Sequence, residues 1–255
     1  MSEIIYGIHA IKALLERNPQ RFLEVFILKR RDDHRLQPLI TELEEIGLVM
    51  QLVSREWLDN KVNGVVHQGI MARVRQGPKL QENDLPALLS IIDAPFLLAL
   101  DGVTDPHNLG ACLRSADAAG VHAVIVPHDR SAQLNATVKK VSCGSSENVP
   151  LIRVINLART LRLLKVMNIK VIGADCTVSH TLYQSMMVAP MVLVMGAEGK
   201  GMRRLTREHC DELISIPMTG LTSSLNVSVA TGICLFEVLR QRLYSLHDCN
   251  IRETL

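Results

Sequence analysis

Along the first 76 residues the apolar positions switch between helical and extended spacing. Ile8, Ile11, Leu14 and Leu15 recur at intervals of three to four and Asn18-Pro19 stops the run, since proline cannot continue a helix. A strand is expected at Glu24 to Lys29. Leu36, Leu39, Ile40, Leu43 and Ile46 then mark a helix closed by Gly47, followed by a strand at Val49 to Val53, a helix opened by Ser54 as N-cap and a strand at Gly69 to Val74. Residues 1–76 therefore read as a small α/β domain. QGPKLQEND, from Gln76 to Asp84, has Gly, Pro and no apolar period, and it opens a linker expected over residues 77–93.

Beyond Pro95 the runs FLLALDGV, AVIVP, VPLIRV, KVIGAD, MVLVMG and ELISIPM alternate with helix-like stretches at Leu109 to Ala119, Asn135 to Ser142, Asn156 to Asn168 and Val227 to Leu246. A strand that is apolar at nearly every position is buried on both faces. That predicts an α/β domain over residues 94–246, built on a parallel sheet covered by helices on both sides. The tail HDCNIRETL, residues 247–255, has no apolar face and is expected to fray.

Composition narrows the partners. At 47% hydrophobic and 21% charged the 255 residues suit a globular chain. The longest nearly apolar run, Val188 to Ala197, is broken by Pro190 and Gly196 and is far shorter than the roughly 20 residues a bilayer span needs. Glu3, His9 and Lys12 interrupt any secretory signal, so a cytoplasmic chain with no membrane contact is expected. Six cysteines with no C-x-x-C pair suggest neither a metal site nor a disulfide framework. A net charge of +2 points to no partner, and 3% aromatic content argues against RNA binding by base-stacking sheets. Nucleic acid would have to be held by backbone amides and local basic clusters: Lys29 to Arg31 with Arg35, Lys139-Lys140, and Arg203-Arg204 with Arg207. Each is equally a common solvated face.

In parallel α/β sheets ligands bind beyond the carboxyl ends of the strands, which singles out three loops. In DGVTDPHNLGACLRSA, Asn108 at a helix entry either orients a ligand hydroxyl or caps the helix, and Arg114 either grips a phosphate or is solvated. His107 is a lone turn histidine with no visible partner. In MGAEGKGM, Gly196, Gly199 and Gly201 let backbone approach a ligand, and Glu198 either binds a donor or carries a solvated charge; the spacing fits neither the dinucleotide nor the nucleoside-triphosphate fingerprint. In IPMTGLTSSLNVSVATG, Ser223, Ser224 and Asn226 stand ahead of a long apolar helix, where any one of them serves as an ordinary N-cap, although three such groups in four residues are more than a cap needs.

Together these loops resemble the three motifs of the SpoU/TrmH branch of the SPOUT RNA methyltransferases. N-x-G-x-x-x-R-x-A is matched by Asn108, Gly110, Arg114 and Ala116, G-x-E-x-x-G by Gly196, Glu198 and Gly201, and SLNVS by Ser224 to Ser228. Over residues 1 to 243, including YGIHAIKALLE and VHQGI, the chain is similar to members that methylate the ribose of a guanosine in 23S ribosomal RNA; Ser145 and Ser146 stand where alanines are usual, and the tail after Arg242 is extra. The resemblance implies an RNA-binding N-terminal domain, a C-terminal trefoil knot, a homodimer and S-adenosyl-L-methionine held by Met195, Gly196, Ile216, Met218, Ser224 and Leu225. It implies catalytic roles for Asn108, Arg114, Glu198 and Asn226, with Arg114 either accepting the 2'-hydroxyl proton or clamping the neighbouring phosphate; a guanidinium is ordinarily never deprotonated. The same reaction on transfer RNA and a non-catalytic RNA-binding or ribosome-assembly factor are the alternatives.

Overall fold

The computed structural model describes residues 2–29, 34, 36–62, 66–77 and 80–252. The chain divides into two compact units, residues 1–78 with 143–148 and residues 79–142 with 149–255.

In the first unit the order is β1 (Ser2–Tyr6), α1 (Ile8–Arg17), β2 (Phe22–Leu28), α2 (Gln37–Glu45), β3 (Met50–Val53), α3 (Arg55–Lys61) and β4 (Ile70–Arg75). The sheet runs β1-β4-β2-β3, with β4 antiparallel to β1 and β2 and β3 parallel to β2. Ile11 and Leu14 of α1 and Leu39 and Leu43 of α2 pack on Val25, Ile27, Ile70 and Val74. Ser54 caps α3 as its position predicts, accepting the Trp57 amide at 3.2 Å. The sequence pattern does not announce β1, because SEIIY is short and half polar; it gains strand geometry by pairing with β4.

The second unit continues with α4 (Leu85–Leu89), β5 (Phe96–Asp101), α5 (Pro106–Ala118), β6 (Ala123–Pro127), α6 (Ala136–Val141), α7 (Ser145–Asn148, which groups with the first unit), β7 (Leu151–Val154) and α8 (Leu157–Val166). It closes with β8 (Lys170–Ala174), β9 (Met191–Gly196), α9 (Arg204–Glu208), β10 (Glu212–Ile214) and α10 (Val227–Arg252). All six strands are parallel, in the order β10-β8-β9-β5-β6-β7. The alternation within β5 and β9 sends Leu98, Leu100, Leu193 and Met195 to one face, against α5 and α10, and Leu97, Ala99, Val192 and Val194 to the other, against α4 and α8.

Two expectations need correction. The linker over residues 77–93 is too long: α4 lies inside it, with Leu85 and Leu89 buried in the second unit's core, after a turn in which Asp84 accepts the Gln81 amide at 2.8 Å. The tail does not leave helical geometry at Leu246, since α10 runs to Arg252; HDCNIR contains neither Gly nor Pro to stop it. Residues 253–255 lie outside the described part. Among the described residues no helix is long and apolar enough to cross a membrane, and no cluster of His, Cys, Asp or Glu suits a metal ion.

Candidate active site

Strands β5 and β9 are neighbours, and their last residues, Asp101 and Gly196, are register partners. The loops that follow therefore leave the sheet side by side.

After β5, Asp105 is the N-cap of α5, accepting the His107 amide at 2.9 Å, with Pro106 at the first helical position. Asn108 is thus not the cap. Its side chain reaches sideways into two other loops: Nδ2 donates to Glu198 Oε2 at 3.4 Å, and Oδ1 accepts from Asn226 Nδ2 at 3.0 Å. Asn226 Oδ1 accepts from the Ser228 amide at 2.9 Å and from Ser228 Oγ at 2.6 Å, capping α10. This fixes the direction of the whole chain. With Oδ1 of Asn226 taken by two donors, its Nδ2 must face Asn108 Oδ1, which leaves Asn108 Nδ2 for the carboxylate. His107 is exposed and takes no side-chain part.

Glu198 sits on a tight turn. Ala197 and Gly201 exchange main-chain hydrogen bonds of 3.0 and 2.8 Å, and Gly199 and Gly201 take φ of +73° and +64°, which side chains rarely adopt. Gly196 serves differently. A Cβ there would lie 2.2 Å from the Gly201 carbonyl carbon, so the turn folds back onto the strand end only because residue 196 has no side chain.

Asp101, its side chain fully buried, accepts from the Arg203 amide at 2.8 Å and from Arg203 Nε at 2.6 Å, tying the exit of this turn to β5. Sequence reasoning passed over this pair. The available signal was an Asp ending an otherwise apolar strand, a position that demands a partner.

Asp101, Thr104, Asn108, Arg130, Glu198 and Lys200 are among the residues lining a cavity of about 440 Å³ at these strand ends. Arg114 lies further along α5, exposed, and enters no hydrogen bond or ion pair among the described residues. The basic cluster at Arg203, Arg204 and Arg207 is instead engaged in ion pairs, with Asp101, Glu208 and Asp175 respectively. Lys139 and Lys140 close the last turn of α6. Of the cluster at Lys29, Arg30, Arg31 and Arg35 lie outside the described residues.

The residues expected to hold a cofactor fall into two groups. Met195 is core and Ile216 packs half-buried against the same cluster, while Leu225 is half-buried and Met218 and Ser224 are exposed. From Pro217 to Leu225 no main-chain group bonds to another main-chain group among the described residues. The run is exposed from Pro217 to Ser224, so its amides and carbonyls face solvent and are open to a ligand. None of the six residues lines the 440 Å³ cavity.

Residues 95–236 match the SpoU rRNA Methylase family, and residues 4–79 match the RNA 2'-O ribose methyltransferase substrate binding family. The 23S rRNA (guanosine-2'-O-)-methyltransferase RlmB of Yersinia pestis is 76% identical over 242 residues, 95% of this chain and 98% of that protein. RlmB of Escherichia coli K12 is 71% identical over 95% of this chain and all of its own length, 100%. The crystal structure of the SpoU methyltransferase AviRb from Streptomyces viridochromogenes in complex with AdoMet superposes with a TM-score of 0.77 over 95% of this chain and 91% of that one; at 24% identity it shows the fold. With its parallel sheet, its three converging loops and these matches, the chain belongs to the SpoU rRNA methylase family.

Proposed function

We propose that the protein transfers a methyl group from S-adenosylmethionine to the ribose 2'-hydroxyl of a guanosine in 23S ribosomal RNA. Identity of 71–76% to chains so named, over nearly the full length of both partners, carries this reading.

The residues present suit the cofactor. The main chain from Pro217 to Leu225, free of main-chain partners, offers donors and acceptors, Met195 and Ile216 offer an apolar wall, and Gly196 lets the 197–201 turn fold close against the strand end beside them. Ile216, Met218, Ser224 and Leu225 would hold it there. When bound, it supplies a methyl group activated on a sulfonium.

The chain's own residues do the rest by orientation. Asn108, Glu198 and Asn226 act as one hydrogen-bonded unit that fixes three loops, so that the ribose meets a preset geometry. Arg114, unpaired on α5, clamps the phosphate beside the acceptor ribose and stabilises negative charge developing on the 2'-oxygen.

The same reading makes residues 1–76 the RNA-binding domain and the protein a cytoplasmic homodimer. A dimer is supported by α10, where Val229, Phe236 and Leu243 repeat every seven residues and are each about half exposed (50%, 49% and 52%). A trefoil knot is supported by the chain path, in which β9 enters between β8 and β5 and the chain recrosses β8 to form β10 before α10 returns to α5.

The test incubates the protein with radiolabelled S-adenosylmethionine and unmodified 23S ribosomal or transfer RNA, then hydrolyses with alkali. A 2'-O-methyl group blocks cleavage at its own phosphate, so label is expected in an alkali-resistant dinucleotide from ribosomal RNA. Label in a released mononucleotide, or on transfer RNA alone, overturns the assignment.

A further inference from the structure

The cavity at the ends of β5 and β9 shares Asn108 and Glu198 with the polar chain but contains none of the residues assigned to the cofactor. Its volume, about 440 Å³, is that of a small-molecule site. Its charges are of two kinds. Asp101 and Arg203 neutralise each other, and Glu198 is held by Asn108. Lys200 enters no hydrogen bond or ion pair among the described residues, Arg130 makes no hydrogen bond there and shares only a Coulombic attraction with its neighbour Asp129, and Asp105 accepts only through Oδ1, at the His107 amide, which leaves Oδ2 open. Arg130 also holds a φ of +58°, a conformation that Asn or Gly adopts more cheaply, so an arginine there costs backbone strain. Met202 and Val227 add apolar surface.

A cavity lined by an arginine whose guanidinium makes no hydrogen bond, an aspartate with an open carboxylate oxygen and apolar residues suits a flat ligand with acceptors on one edge and donors on another. Guanine is such a ligand: O6 and N7 take an arginine in bidentate fashion, while N1–H and the exocyclic amine donate. RNA bases are commonly read in this way once they are splayed out of a single strand.

We propose that this cavity takes the guanine of the acceptor nucleotide, with Arg130 donating to O6 and N7 and Asp105 Oδ2 accepting from N1–H and the exocyclic amine. The assignment rests on the proposed function and adds the residues that choose guanosine.

The test compares 23S ribosomal RNA fragments carrying guanosine, inosine (no exocyclic amine) or 7-deazaguanosine (no N7) at the methylated position. The variants are Asp105→Asn, whose amide oxygen still caps α5, and Arg130→Asn, which suits the left-handed backbone. S-adenosylhomocysteine affinity and melting temperature control for folding. The unaltered protein should favour guanosine by about 10- to 100-fold in kcat/KM over each analogue. Asp105→Asn should bring guanosine and inosine to near equality, and Arg130→Asn should do the same for guanosine and 7-deazaguanosine. Preferences unchanged in both variants overturn the pocket. So does an equal loss on every acceptor with a shallower salt dependence, which would mark phosphate contacts. Methylation without preference in the unaltered protein defeats the pocket alone, whereas no methylation of any RNA defeats the underlying reading and the pocket with it.

Discussion

At Asn108 a single amide holds two loops that lie 90 and 118 residues away along the chain, donating to one and accepting from the other. Asn108→Asp keeps the acceptor for Asn226 but sets a carboxylate against Glu198. We expect kcat to fall by about 100-fold, the effect of a misplacement near 1 Å, with S-adenosylhomocysteine affinity little changed; single-turnover kinetics and calorimetric titration separate the two. Arg114→Lys keeps charge but loses the planar fork, so weaker RNA binding and slower transfer are expected together. Activity in that variant that stays flat across alkaline pH would exclude proton acceptance at position 114. Buried thiols give a third test. Burial pushes Cys112 up to about 11, despite a hydrogen bond to Thr231, and Cys234 up to about 12. Both should resist a disulfide exchange reagent at pH 8 in the native protein and react once it unfolds. The polar members of this site were legible because each stands in a spaced motif. Asp101 and Arg203 were not: they are 102 residues apart, in no motif, and only the fold turns an ordinary Asp and Arg into a buried pair.

The turn from Ala197 to Gly201 shows how an element is fixed by what a residue lacks. Gly196→Ala would drive a Cβ into the Gly201 backbone, at 2.2 Å, so the turn must lift and carry Glu198 with it. A loss of about 1–3 kcal/mol is expected, of the size overpacking usually costs, seen as a lower melting temperature and a fall in kcat together. The β8–β10 edge responds to acid. Burial alone would raise the carboxyls of Asp175, Asp211 and Glu212, but hydrogen bonds from Arg207, Lys165 and Lys170 respectively outweigh it and leave all three below the usual range. Groups lowered by folding add stability above their unfolded values, about 4, and lose it as pH falls through the folded ones. Amide exchange should therefore show β10 losing protection as pH drops from 5 toward 3, before β5 does. Elements with a continuous apolar run, such as β5 and β9, or a strong helical period, such as α8, were readable in advance; β1 and α4 were not, because β1 depends on its partner strand and α4 on the core that receives Leu85 and Leu89.

For the whole molecule, the heptad of half-exposed apolar residues on α10 predicts that Phe236→Arg yields monomers, read by sedimentation, with the fold retained because residue 236 faces away from the core. The strand order itself bears on synthesis. Strand β5 lies at the centre of the finished sheet, yet its neighbour β9 begins 95 residues later, since Phe96 pairs with Met191. At roughly 5–20 residues per second on the ribosome, a nascent chain would carry an open strand edge, apolar from Phe96 to Leu100, for about 5–20 s before that neighbour is made. The growing protein is thus most exposed to wrong pairing midway through translation, and a ribosome stalled short of Met191 would release a fragment prone to aggregate rather than a smaller working enzyme.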